Sequence, residues 1–164
     1  MTTIRYPAVA GTFYPADPQE LRGVVRSLLA AARPTGSAPK AMIVPHAGYI
    51  YSGPIAASAY SLLREVRGRI KRIVLLGPAH RVPFHGLAAS SASAFATPLG
   101  QVPVDMDAFA KILSLPQVRL LDQAHVQEHS LEVHLPFLQE TLENFSLVPL
   151  VVGEATPQEV ADVL

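Results

Sequence analysis

The 164-residue chain contains no cysteine, so no disulfide can staple it and no thiolate can bind a metal. Any ion it holds is held by nitrogen and oxygen. It also lacks a charge of either sign in excess: 13 basic and 13 acidic side chains cancel, and the basic ones form no block. Proteins that grip nucleic acid carry a clustered positive footprint, so no nucleic-acid partner is expected. No stretch reaches the roughly 18 consecutive apolar residues of a membrane span. The start, MTTIRYPAVAGTFYP, has no apolar run of signal-peptide length. No membrane partner is expected, and a cytoplasmic location follows by default. Also missing are G-x-G-x-x-G, G-x-x-x-x-G-K-[ST] and G-x-S-x-G, which removes the main support for dinucleotide, P-loop and α/β-hydrolase readings. There is no internal repeat.

What is present is the make-up of a soluble globular protein, 49% hydrophobic and 16% charged, rather than of a disordered one. The length suits one α/β domain spanning 1–164. Asp17-Pro18-Gln19-Glu20 reads as a helix start with the signature of a capping box. Leu21, Val24, Val25, Leu28 and Leu29 then line one helical face. Two continuous apolar runs, 41–44 (AMIV) and 72–76 (RIVLL), each halted by proline or Gly-Pro, predict buried parallel strands. The helix expected over 53–66 lies between them and completes a βαβ unit.

Further on, short strands are expected between Gly86 and Pro103, a helix capped by Asp105 to about Leu113, a helix over 131–142, and a strand over 145–152. Together these predict a mostly parallel, mixed central sheet with helices on both faces. Thr156-Pro157-Gln158-Glu159 repeats the helix-start signature with five residues left, which leads us to expect that the natural polypeptide continues.

The chemistry concentrates in histidines. His46 follows the first apolar run in VPHAGY, and His80 follows the second in GPAH. Both would sit beyond the carboxyl ends of parallel strands, the edge where open α/β sheets bind ligands. Neighbouring strands are about 4.8 Å apart, so the two imidazoles can converge on one ion. The plainer alternative is two loop histidines bonded to backbone, and spacing alone leaves both readings standing. Gly48 and Gly53 bracket Tyr49-Ile50-Tyr51, an aromatic loop able to approach a ligand and exclude water.

The segment 128–134, EHSLEVH, holds several further candidates. His129 and His134 are five residues apart, which turns them about 140° from one another on a helix. A self-contained zinc pair needs a spacing of four. His129 is therefore expected near the cleft as a candidate acid or base, with Glu128 beside it as a cap, and His134 packed away. The alternative makes Glu128 or His129 a third ligand.

The strings AGTFYP (10–15), VPHAGYIYSG (44–53), LLGPAHRVP (75–83), TPLG (97–100) and EHSLEVHLPF (128–137), in this order, resemble the MEMO family, whose prokaryotic members are often called AmmeMemoRadiSam system protein B. The resemblance covers about the first three-fifths of a family member. It implies a fold similar to LigB-type class III extradiol dioxygenases, with His46 and His80 as metal-site residues. The third ligand is implied to be a cysteine in the C-terminal half of human-type members, and hence outside this chain, as are an Asp and a His that complete the pocket. Phe13 stands where the human-type pocket has a tryptophan. Implied is a non-haem divalent metal, iron or copper favoured over zinc, serving oxidoreductase chemistry of dioxygenase type on a small molecule. The alternative is a non-catalytic module that binds a peptide or other ligand in the same pocket, lined by Phe13, Gly48, Tyr49, Tyr51 and Glu128.

Overall fold

A computed structural model describes residues 3–164. The first helix, α1 (Pro18–Ala31), begins where its cap signal lies: Asp17 Oδ1 accepts the N–H groups of Gln19 and Glu20 at 2.9 and 2.8 Å. It buries Leu21, Val25 and Leu29, one residue per turn. The helix α2 (Tyr49–Ser61) packs against it, presenting Ala56, Ala57 and Tyr60 inward. It starts four residues before the expected Gly53. Gly48 is its N-cap, and the Ser52 hydroxyl donates back to Ala47 O at 2.8 Å. A separate 3₁₀ turn at Arg64–Val66 takes up the end of the expected helix.

Two sheets follow. In the larger, the order is β2 (Arg72–Pro78), β7 (Ser146–Val152), β3 (Leu87–Ala89), β6 (Val118–Leu120). In the smaller it is β1 (Ile4–Arg5), β4 (Ala94–Thr97), β5 (Gly100–Pro103). Strands β2 and β7 run parallel in register from Arg72↔Ser146 to Pro78↔Val152. The β3–β7 and β4–β5 ladders are antiparallel, so both sheets are mixed. Central β7 is buried on both faces. Leu150 packs with Leu87, Ala89 and Val118 beneath α3 (Met106–Ile112) and α6 (Pro157–Ala161), and Val151 packs on the opposite side with Ala124 of α4 (Gln123–Val126) and Leu131. Pro149, which cannot donate, lies beyond the end of the β3 ladder, which reaches only Val151 and Val152.

Two expectations change. The apolar run 41–44 makes no ladder, and Ile43 is fully exposed, so the expected βαβ unit has its helix and its second strand but not its first. The expected helix 131–142 is broken into a 3₁₀ turn (Glu132–His134) and α5 (Leu135–Thr141). Pro136, in the first turn of α5, has no N–H to continue a helix backward. Leu131, Leu135, Leu138 and Leu142 are nonetheless all buried.

Candidate metal centre

Three imidazoles meet where β2 and β7 end. The ring centroids of His46 and His80 are 5.2 Å apart, those of His46 and His129 5.9 Å, and those of His80 and His129 4.7 Å. One ring nitrogen from each lies within 4.8 Å of the others. Three ligands evenly spaced around one ion, each roughly 2.1 Å from it, lie at most about 3.6 Å from one another. Side-chain movements of about an ångström close the difference.

His80 is aimed by a carboxylate. Its Nδ1 lies 2.8 Å from Glu128 Oε1 and its backbone N–H donates to Glu128 Oε2 at 2.6 Å. With the proton on Nδ1, the Nε2 lone pair is left for an ion. This settles against a histidine bonded to backbone through its ring. Glu128 Oε1 also accepts the N–H groups of His129 and Ser130 at 2.9 and 3.0 Å. Burial pushes the Glu128 carboxyl up, but these donors, led by the His80 side chain, outweigh it and hold the group down to about 2.

The other two rings are kept neutral. Burial lowers His46, helped by the charge of His80 and opposed by Glu128. Burial also lowers His129; Glu128 opposes this, while His80, His46 and Arg81 add to it. Buried His129 Nδ1 has no hydrogen-bond partner and sits 3.5 Å from Glu128 Oε1. An uncommitted buried nitrogen beside two other imidazoles fits a metal-binding role.

The remaining sequence candidates separate. Phe13 packs on His129 with ring centroids 4.7 Å apart, and its carbonyl accepts the Tyr49 N–H at 2.8 Å close beside Gly48. Tyr49 itself turns inward: it is buried, its hydroxyl donates to Val133 O at 2.7 Å, and its ring meets Tyr14 and Phe137. Tyr51 is 81% exposed. Two positions along a helix is a turn of about 200°, so Tyr49 and Tyr51 cannot both face the site. His134 is buried beside Tyr60 and is not one of the three clustered rings. A third candidate nitrogen thus lies within this chain, at His129, the alternative that the sequence left open.

The residues that hold this segment in place were not singled out in the sequence. Glu132, 1% exposed, accepts from Tyr14 OH, from the N–H groups of Ala8 and Val9 at 2.7 and 3.0 Å, and pairs with buried Arg5. Arg5 also donates to the carbonyls of His125 and Glu128. The first strand therefore clamps the loop that carries Glu128 and His129. Gly77 completes the fit, because a Cβ there would come within 2.6 Å of Ser130 Oγ, which donates to Pro78 O at 2.9 Å. Gly77→Ala is expected to cost about 1–3 kcal/mol and to move Glu128 off His80. Urea unfolding, with the His80 ring signals followed by NMR, checks both effects.

Residues 5–164 match the Memo-like protein family. The chain belongs to that family. Its relatives include MEMO1 family proteins of Aquifex aeolicus, 43% identical over 91% of this chain, and of Ignicoccus hospitalis, 40% identical over 94%. A third, from Methanopyrus kandleri, is 40% identical over 91% of this chain. The alignments cover 55%, 58% and 56% of those relatives, so this Memo-like chain spans little more than half their length. No helix among its described residues is long and apolar enough to cross a membrane.

Proposed function

We propose that His46, His80 and His129 hold one non-haem divalent metal, iron or copper, and that the site serves redox chemistry of dioxygenase type on a small-molecule ligand in the cytoplasm. The observation that carries this is the convergence of three imidazoles with Glu128 fixing the tautomer of one. Three neutral nitrogens suit a borderline first-row ion and leave coordination positions open. When bound, the ion would supply a Lewis acid and an electron conduit. The chain's own residues do the rest. Glu128 aims His80, Phe13 covers one side of His129, and the half-buried setting of His46 and His129 favours their neutral form.

The test is a calorimetric titration of metal-stripped protein with Fe(II) under anaerobic conditions, and with Cu(II) and Zn(II). One ion per chain is expected, with affinity reduced about 10–100-fold by Glu128→Gln and more by His46→Ala or His129→Ala. Wild-type affinity in His129→Ala would reduce the site to two histidines. A chain that takes no metal but binds a peptide would instead be the non-catalytic module.

A further inference from the structure

Beside the cluster, a cleft of about 530 Å³ opens at the carboxyl ends of β2 and β7, with His80 in its wall. That volume lies inside the roughly 300–1,000 Å³ range of small-ligand sites. Its walls are preformed. Ala79 N–H donates to Val152 O, Glu154 N–H to Phe84 O and Gly86 N–H to Glu154 O, each at 2.8 Å, so loop 79–86 is laced to the end of β7. Gly153 makes the lacing possible, since a Cβ there would lie 2.2 Å from Phe84 O.

The lining is part apolar and part polar, with His80, Arg81, His85 and Glu154 as its polar members. Pro78, Val82, Pro83, Phe84 and Val152 form a hydrophobic wall, and Arg81 projects beside His80. Of the two carboxylates nearby, Glu128 is engaged by His80 and backbone N–H groups, and Glu154 stands on the exposed rim, 3.3 Å from His85 Nδ1. No carboxylate among the described residues pairs with Arg81. The cleft therefore offers one uncompensated guanidinium, adjacent in sequence to a metal-site histidine and next to an apolar wall.

We propose that Arg81 docks the carboxylate of a small organic monocarboxylate whose apolar body lies along Val82, Pro83 and Phe84, with its far end directed toward the three histidines. A planar guanidinium matches a carboxylate through two parallel hydrogen bonds. One guanidinium without an ion-pair partner matches a single carboxylate group, while the apolar wall offers nothing to a compact, fully polar anion such as phosphate. This deepens the reading above by naming the class of ligand, and the anion contact itself needs no ion.

The test uses phenylacetate as probe, titrated into metal-free protein and followed by ligand-observed NMR, with neutral phenylacetamide and inorganic phosphate as comparators. Saturable phenylacetate binding is expected, with phenylacetamide and phosphate each at least about 10-fold weaker, in line with the loss of a charge-assisted hydrogen bond. Arg81→Gln should lose about 10-fold or more of the phenylacetate affinity, and Arg81→Lys less. Equal binding to Arg81→Gln and wild type, no saturable binding to wild type, or tighter phosphate than phenylacetate would overturn the proposal. The metal titration is run separately, so a chain that binds ions but not the carboxylate, or the reverse, shows which of the two readings has failed.

Discussion

Glu132→Ala is expected to lower stability by about 3–5 kcal/mol, the cost of breaking a buried charge pair from one side. The substitution strands more than one charge. Arg5, 7% exposed, keeps its guanidinium in the interior with no carboxylate opposite, and the Tyr14 hydroxyl and the Ala8 and Val9 N–H groups lose their acceptor. Each abandoned donor adds its own desolvation penalty. Native domains are stable by only about 5–15 kcal/mol, so the variant should sit near the edge of folding. Urea unfolding measures it. Removing both charges together, Arg5→Met with Glu132→Leu, should cost less than Glu132→Ala alone. A single-variant loss below about 1 kcal/mol would show that the network contributes little.

Acid should weaken the fold well before the carboxylates titrate. Burial pushes both His125 and His134 down to about 4. In His125 the Ala88 carbonyl, which its Nε2 meets at 2.9 Å, opposes this, and Arg5 adds to it; in His134 the charge of His46 adds to it. In the unfolded chain each ring binds a proton near pH 6.5, while in the folded protein it stays neutral to about 4. Between those values the unfolded state holds more protons, so stability is complete above about 6.5, falls as pH falls, and levels off below about 4. Each ring should remove about 2 kcal/mol between pH 7 and pH 5. His46 and His129 shift in the same direction. Unfolding free energies across pH 5–7 isolate the histidines from unfolded carboxylates, which titrate near 4. A flat profile there would mean that these rings are protonated in the folded state.

The parts of this fold that were legible in sequence are those whose cause is local. Asp17, Asp105 and Thr156 cap the helices they precede, because a cap bonds to N–H groups two or three residues away. The run 41–44 was misread because an apolar string becomes a strand only when a neighbour completes its ladder, and this one has none among the described residues. His46 and His80 were visible through their matched contexts. His129 was placed near them on helical spacing, yet the segment turns out to be irregular up to the Glu132–His134 turn, so that spacing was not the reason it arrives there. What brings it is Glu128, bonded to His80 across 48 residues, and Arg5, bonded across more than 120. No periodicity marks Arg5, and the string AGTFYP that contains Tyr14 does not show what its hydroxyl meets, since their partners lie in another third of the chain.

That separation sets an order of events during synthesis. Arg5 leaves the ribosome among the first residues, but Glu132 follows 127 positions later and β7, the partner of β2, later still. At roughly 5–20 residues per second, the arginine waits about 6–25 seconds for its carboxylate. Through that interval the Arg5 guanidinium and the β2 ladder lack these partners, a non-local arrangement of the kind that folds slowly. His46 and His80 are made first, and the carboxylate that orients His80 and the ring that completes the triad arrive together, in adjacent positions, 48 residues after His80. The centre waits on one short stretch of chain that brings its orienting group and its third ring at once.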